Sequence, residues 1–315
     1  MQVPYRSVQR GLTSNRAAFY LNRIVTARPA RAVLVAAIRR YIAWRQRDRV
    51  LQAAPAQQAA VEGLNAEGYT ELGQLLSRDA CQEIVDYLSN KKMQDRDIAR
   101  APYCLADAPE SARLADFSLA DTLKCPHILG LANSPLLLGM ATQYIGCKPT
   151  LSSVVIRWSF PAEAGRSDLQ RFHRDTDDWR FFKVMVYLTD VDEACGPHVY
   201  VKATHRDRQT IRQRFWRDEE IAEKYGDERL AVALGPKGTA FAVDTAGIHK
   251  GQAPERGRRL MLMLQYSLLP CYSVRKEPVE APLPAGLDAY INRVLFAPAK
   301  DTVVAQRVRR RVLRS

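Results

Sequence analysis

Five histidines occur in the chain, and one stands two residues before a carboxylate at the threshold of a β-rich stretch. These are His173 and Asp175 in RFHRDTDD, just ahead of FFKVMVYLTDV. In an extended segment residues i and i+2 point to the same side, so this imidazole and this carboxylate can share one metal ion. A third ligand from a distant strand would complete a set of two His and one carboxylate. That set leaves three adjacent positions open, the arrangement of non-haem Fe(II) oxygenases. His249, in DTAGIHKGQ after the GTAFAVD segment, is the natural third ligand.

A His-x-Asp pair alone is weak evidence, and the chain holds a second one, His205 and Asp207 in ATHRDRQ. Both copies echo the His-Arg-Asp of protein kinases. Neither continues with the Leu and downstream Asn of a kinase catalytic loop, and no Gly-rich phosphate loop precedes them, so kinase chemistry is excluded. Spacing favours His173 as the metal ligand, because it opens the β-rich region and leaves several strands before His249. His205 reads as structural or as a support to the site, and His127 and His198 as ordinary structural histidines.

The elements that must position these residues begin at Thr150. LSSVVIRWSF, FFKVMVYLTDV, HVYVKA, GTAFAVD and RLMLMLQYSLL are short, β-rich and bounded by Gly, Pro or Asp. Strands joined by loops rather than helices argue for a β-sandwich or jelly roll. Helices precede them: one entered through Ser77 and ending near Asn90, and two more near 122–132 and 135–145. Residues 98–118 show no clean periodicity and are expected to be loop-rich. In RRLMLMLQYSL one face carries Arg259, Met261, Met263 and Gln265, and the other Leu260, Leu262, Leu264 and Tyr266. In FFKVMVYLTD, Lys183, Met185, Tyr187 and Thr189 oppose Phe182, Val184, Val186 and Leu188. Each wholly apolar face wants a dry partner such as the helices. Each mixed face, with one strong cation, suits a cavity that binds an anion; the plain alternative is a cation at a strand end reaching solvent.

The stretch LQRFHRDTDDWRFFKVMVYLTDVDEACGPHVYVKATHR, followed by GTAFAVDTAGIHKGQAPERGRRLMLMLQYSL, resembles the phytanoyl-CoA dioxygenase family. The likeness runs over about residues 60–270, with GYTELGQLLS similar to the family's N-terminal part. It implies a mainly β fold with flanking helices (α+β), a double-stranded β-helix or jelly-roll, cupin-like core preceded by N-terminal helices. It implies an enzyme using Fe(II), 2-oxoglutarate and O2, with His173, Asp175 and His249 as iron ligands. Arg259 becomes the anchor of the distal 2-oxoglutarate carboxylate, since a planar charged fork binds a carboxylate through two parallel bonds. Arg258 is its neighbour, and a one-residue slip would exchange them. Lys183 falls close to the co-substrate. Halogenases of the superfamily carry a small residue where this chain has Asp175, so hydroxylation of an unactivated C–H in a small-molecule or lipid-linked substrate is the expected reaction. The rivals are another cupin-type metalloenzyme, isomerase or hydrolase, and a non-catalytic jelly-roll binding protein. The first does not need a carboxylate fork one strand from the metal, and the second would have to retain the long likeness without its chemistry.

Charge divides the chain. Residues 1–47 hold ten Arg and no Lys or acid, and residues 302–315 hold five Arg and no acid. Removing those fifteen from a net charge of +13 leaves −2 for residues 48–301. A basic groove for nucleic acid would show in this body, so no nucleic-acid partner is expected. The tails read as solvated basic helices packed on the body, as helices on an anionic membrane surface, or, for the first, as a transit peptide. Val304, Val308 and Val312 give the second tail a narrow apolar stripe. Six scattered Cys without a CxxC pair fit a reduced compartment. The expected location is cytoplasmic, with peripheral membrane contact through the tails as the variant. The expected organisation is a basic extension over 1–55, an oxygenase domain over 56–275 and a C-terminal extension over 276–315.

Overall fold

The structure is a computed structural model, and it describes residues 20–25, 27–46, 55–161, 168–207, 214–271 and 277–298. The C-terminal tail with its valine stripe, and most of the N-terminal tail, lie outside the described residues. Helices α1 (Arg28–Gln46), α2 (Pro55–Glu67), α3 (Arg78–Leu88), α4 (Leu119–Lys124), α5 (Ile128–Ala132) and α6 (Pro135–Ile145) precede most of the sheet, and α7 (Asp218–Tyr225) interrupts it. The strands are β1 (Tyr69–Gln74), β2 (Met93–Asp95), β3 (Leu114–Phe117), β4 (Thr150–Ser159), β5 (Phe181–Tyr187), β6 (His198–Val201), β7 (Leu230–Ala233), β8 (Thr239–Val243), β9 (His249–Gly251) and β10 (Arg259–Ser267). A short parallel pair, β11 (Val279–Glu280) and β12 (Phe296–Ala297), closes the described chain.

Local chemistry fixes the helix starts. Ser77 caps α3, its Oγ accepting the Ala80 N–H at 3.1 Å, and the buried face of that helix is Cys81, Ile84 and Leu88, spaced by three and four. Ser134 caps α6 in the same way, accepting from Leu137 N–H at 3.3 Å, and Gly146 ends that helix with φ 81°. Pro135 at its first turn gives up a donor that has no partner there.

Seven strands form the larger sheet in the order β1-β8-β5-β10-β4-β3-β2, with every pairing antiparallel. The smaller sheet is β7-β6-β9, extended by a bridge between His173 and His249. From β4 onward, chain order and sheet order alternate. β4, β5, β8 and β10 lie together in the larger sheet, while the His173 segment, β6, β7 and β9 form the smaller one. This back-and-forth between two antiparallel layers is the jelly roll.

Period-two alternation divides the side chains as their sequence implies. Leu260, Leu262, Leu264, Tyr266, Phe182, Val184 and Val186 pack with Ile84, Leu88, Leu137 and Met140 of the helices in the main core. Met185, Tyr187 and Met261 turn to the other face and meet Tyr200, Phe241 and Val243 in a separate inner cluster. The loop-rich expectation for 98–118 misses β3, which pairs with β2 and β4 and is defined by that pairing rather than by its own pattern.

Candidate metal centre

His173 and His249 are cross-strand partners. Each donates its backbone N–H to the other's carbonyl, at 2.9 and 3.0 Å, the reciprocal pair of an antiparallel ladder. Directly opposed residues project to the same face, and the two imidazole centroids lie 4.4 Å apart. Asp175, two residues on, is held by its own N–H donating to Thr245 O at 2.8 Å. Its Oδ1 stands 3.6 Å from His173 Nε2 and its Oδ2 3.6 Å from His249 Nε2. One ligand atom from each of the three falls within 4.8 Å of the others.

The tautomers follow from the outer partners. His173 Nδ1 faces Arg171 O at 2.8 Å and His249 Nδ1 faces Gly247 O at 3.0 Å. A carbonyl only accepts, so each Nδ1 carries a proton and Nε2 is the nitrogen that each ring turns toward Asp175 for a metal. Burial, then the neighbouring His173, push His249 down to about 3, so it stays neutral. Burial would raise Asp175, but Lys183, then His249 and His173, outweigh it and hold the carboxyl far below the usual range. Two imidazole nitrogens and one anionic oxygen on one face form a donor set for a divalent transition metal.

Lys183 points into the same interior, and its Nζ donates to Asp175 Oδ2 at 2.6 Å, with Asp177 at 3.5 Å. The partner that the structure gives it is therefore Asp175, the carboxylate of the candidate site. Arg259 is 3% exposed, bonded through Nη2 to Ser159 Oγ at 3.0 Å, while its Nε and Nη1 are buried and have no partner. A Cβ on Gly251, two residues past His249, would come within 3.2 Å of that guanidinium, so the fork lies against the strand that carries His249. Arg258 is exposed. A dry guanidinium with unused donors fits one ligand class best, a carboxylate.

The second His-x-Asp pair is elsewhere. His205 Nε2 bonds Asn65 O at 3.1 Å, and Asp207 takes Arg174 at 3.4 Å and the Tyr225 hydroxyl at 2.9 Å. His127 is a surface partner of Glu83 at 2.7 Å. His198 is the residue that sequence reasoning passed over. Its ring stacks on His249 at 5.5 Å and 28°, it is 2% exposed, and its Nε2 has no partner. Burial, then His249 and Arg259, keep it well below the usual imidazole range and so neutral. A cavity of about 580 Å³ adjoins this centre, lined by Asp175, Arg31, Tyr144, Trp179, Arg180 and Asp244, but neither His173 nor His249 lines it.

No protein-family model matches the chain, and no curated protein matches it in sequence. Among solved structures it is similar to EctD from S. alaskensis, solved with 2-oxoglutarate and 5-hydroxyectoine (20% identity, 79% of this chain, 92% of that chain, TM-score 0.48). HygX from Streptomyces hygroscopicus, solved with nickel and 2-oxoglutarate, is another (15% identity, 66% and 86%, TM-score 0.46). A third is SnoK, a non-heme alpha ketoglutarate dependent carbocyclase from nogalamycin biosynthesis (18% identity, 66% and 83%, TM-score 0.45). With TM-scores below one-half, the chemistry rests on this chain's own residues.

Proposed function

We propose that this chain is an Fe(II)- and 2-oxoglutarate-dependent oxygenase of the phytanoyl-CoA dioxygenase type, hydroxylating an unactivated C–H of a small-molecule or lipid-linked substrate. One observation carries the reading: an inward-facing His173–Asp175–His249 set shares its interior with the buried, unsatisfied fork of Arg259. A metal site alone would serve an isomerase or hydrolase equally well. The unsatisfied guanidinium supports a bound dicarboxylate.

Fe(II) held by His173, Asp175 and His249, with 2-oxoglutarate on Arg259, would supply oxygen activation coupled to release of succinate and CO2. His173 and His249 present their Nε2 lone pairs because Arg171 O and Gly247 O hold the opposite ring protons. Asp175 contributes the negative charge, and Lys183 orients it. Arg259 would hold the distal carboxylate, with Ser159 fixing the fork. The unpartnered Nε2 of His198 would add a second polar contact toward the co-substrate. Met185, Tyr187, Phe241 and Met261 make the surrounding wall apolar and exclude water. The carboxylate at 175 supports hydroxylation over halogenation.

Fe(II)-loaded protein supplied with 2-oxoglutarate and air should release succinate, stimulated by the right member of a metabolite pool. His173→Ala, Asp175→Ala and His249→Ala should abolish release, and His205→Ala should leave most of it. Turnover that survives loss of His173 but not of His205 would contradict the assignment.

A further inference from the structure

The described large hydrophobic side chains that stand in solvent are concentrated at one end of the chain. Of ten, seven lie between residues 20 and 44. Ile24 is 74% exposed, Trp44 70%, Val33 69% and Tyr41 60%. On α1 the spacing is helical: Val33, Ala37, Tyr41 and Trp44 share an outer face, and the Tyr41 and Trp44 rings lie 6.2 Å apart. The inner face is a different set. Val35, Ile38 and Ile42 pack on the main core, so the helix is already docked and its outer stripe is surplus to folding. A contiguous apolar face of this kind marks an interaction site.

Charge identifies what covers it. Exposed Arg40 and Arg45 flank the stripe, and the first 47 residues hold ten Arg without one acid. A second copy of the chain offers no complement, since residues 48–301 carry only −2 and a self-complementary contact would set arginine against arginine. Tyr and Trp beside arginines, on a helix lying flat on its body, suit the headgroup layer of a bilayer. No helix among the described residues is long and apolar enough to cross one. We propose that the outer face of α1 docks on an anionic membrane surface, with Val33, Tyr41 and Trp44 entering the headgroup region and the arginines holding lipid phosphates.

This docking bears on the site. Asn22, just ahead of α1, donates to Thr176 O at 3.2 Å, and Arg31 reaches Trp179 O at 3.5 Å with its guanidinium 5.0 Å from the Trp179 ring. Thr176 and Trp179 belong to the segment that follows Asp175. The face that meets lipid thus belongs to the element that braces the metal-carboxylate loop.

The test uses the full chain with vesicles of phosphatidylglycerol and phosphatidylcholine in equal parts, and with phosphatidylcholine alone. The protein should sediment with the anionic vesicles at low salt and fall off about tenfold at high salt. Trp44 reports directly, because Trp158, Trp179 and Trp216 are buried and it is the exposed tryptophan. Its emission should shift to the blue on binding. Val33→Ser, Tyr41→Ser and Trp44→Ser together should lower binding about tenfold without moving the melting temperature. Equal binding to neutral vesicles overturns the electrostatic pairing. A protein that ignores both vesicles, and forms a dimer that the triple variant abolishes, assigns the face to a second copy instead. No binding and no dimer leaves the stripe merely solvated and overturns the proposal.

Discussion

Lys183 and Asp175 form the shortest charged contact at the candidate metal centre, Nζ to Oδ2 at 2.6 Å, and the jelly roll shields both side chains from most of the solvent. This pair lets a carboxylate remain ionised where burial alone would protonate it. It also fixes which oxygen turns toward which imidazole. Lys183→Met should therefore weaken divalent-metal binding roughly 10- to 100-fold, as expected when a ligand loses its outer support. The sign with pH is definite. Without Lys183 burial raises Asp175, protons compete for the ligand at higher pH, and the acid limb of metal binding moves upward. Metal titrations across a pH series read both effects; an unchanged limb would mean that the contact orients nothing.

Arg259→Gln should weaken 2-oxoglutarate binding by roughly 2 to 5 kcal/mol, the cost of stripping one partner from a buried charge pair. Exposed Arg258→Gln should do little. Calorimetry with the Ni(II)-loaded protein separates the two, and the reverse order would move the anchor by one residue.

His198→Leu should cost about 1 kcal/mol of 2-oxoglutarate affinity, the worth of one neutral hydrogen bond, and leave metal affinity unchanged. His198→Gln restores an N–H donor and should recover part of the loss. If the Leu variant binds the co-substrate as tightly as wild type, the unpartnered Nε2 faces nothing of consequence.

Asp178 is buried, and burial pushes its carboxyl up to about 7. The folded chain then binds more protons than the unfolded chain between about pH 4 and about pH 7. Stability from this group is present below that window and lost as pH rises through it. Asp178→Asn keeps an oxygen for the Leu269 N–H, now accepted by Asp178 Oδ2 at 2.7 Å, and removes the charge. Thermal melts should show the variant more stable than wild type by a few °C near pH 8 and similar near pH 5. A loss at both pH values would mean that the carboxylate is structurally required.

The two-sided strands were legible because a period of two commits every side chain to a face. The Lys183–Met185–Tyr187 and Arg259–Met261 faces line the interior as their alternation implies. Spacing also set His173 apart from His205, and it is His173 that the fold brings beside Asp175 and His249. His198 was not legible, since nothing near it in sequence marks it. Only the register of β6 on β9, with Tyr200 opposite His249 and His198 opposite Gly251, lays its ring on His249. β2 and β3 were equally hidden, being three and four residues long and held by pairing with neighbours.

The central claim is that one interior holds both a metal and a dicarboxylate. Anaerobic titration of the Fe(II)-loaded chain with 2-oxoglutarate tests it most directly, because it needs no substrate. One 2-oxoglutarate should bind per iron, lost in Asp175→Ala together with the metal and lost in Arg259→Gln with the metal retained. Tight iron binding through His173, Asp175 and His249 with no 2-oxoglutarate bound would contradict it and point to a different metalloenzyme on the same fold.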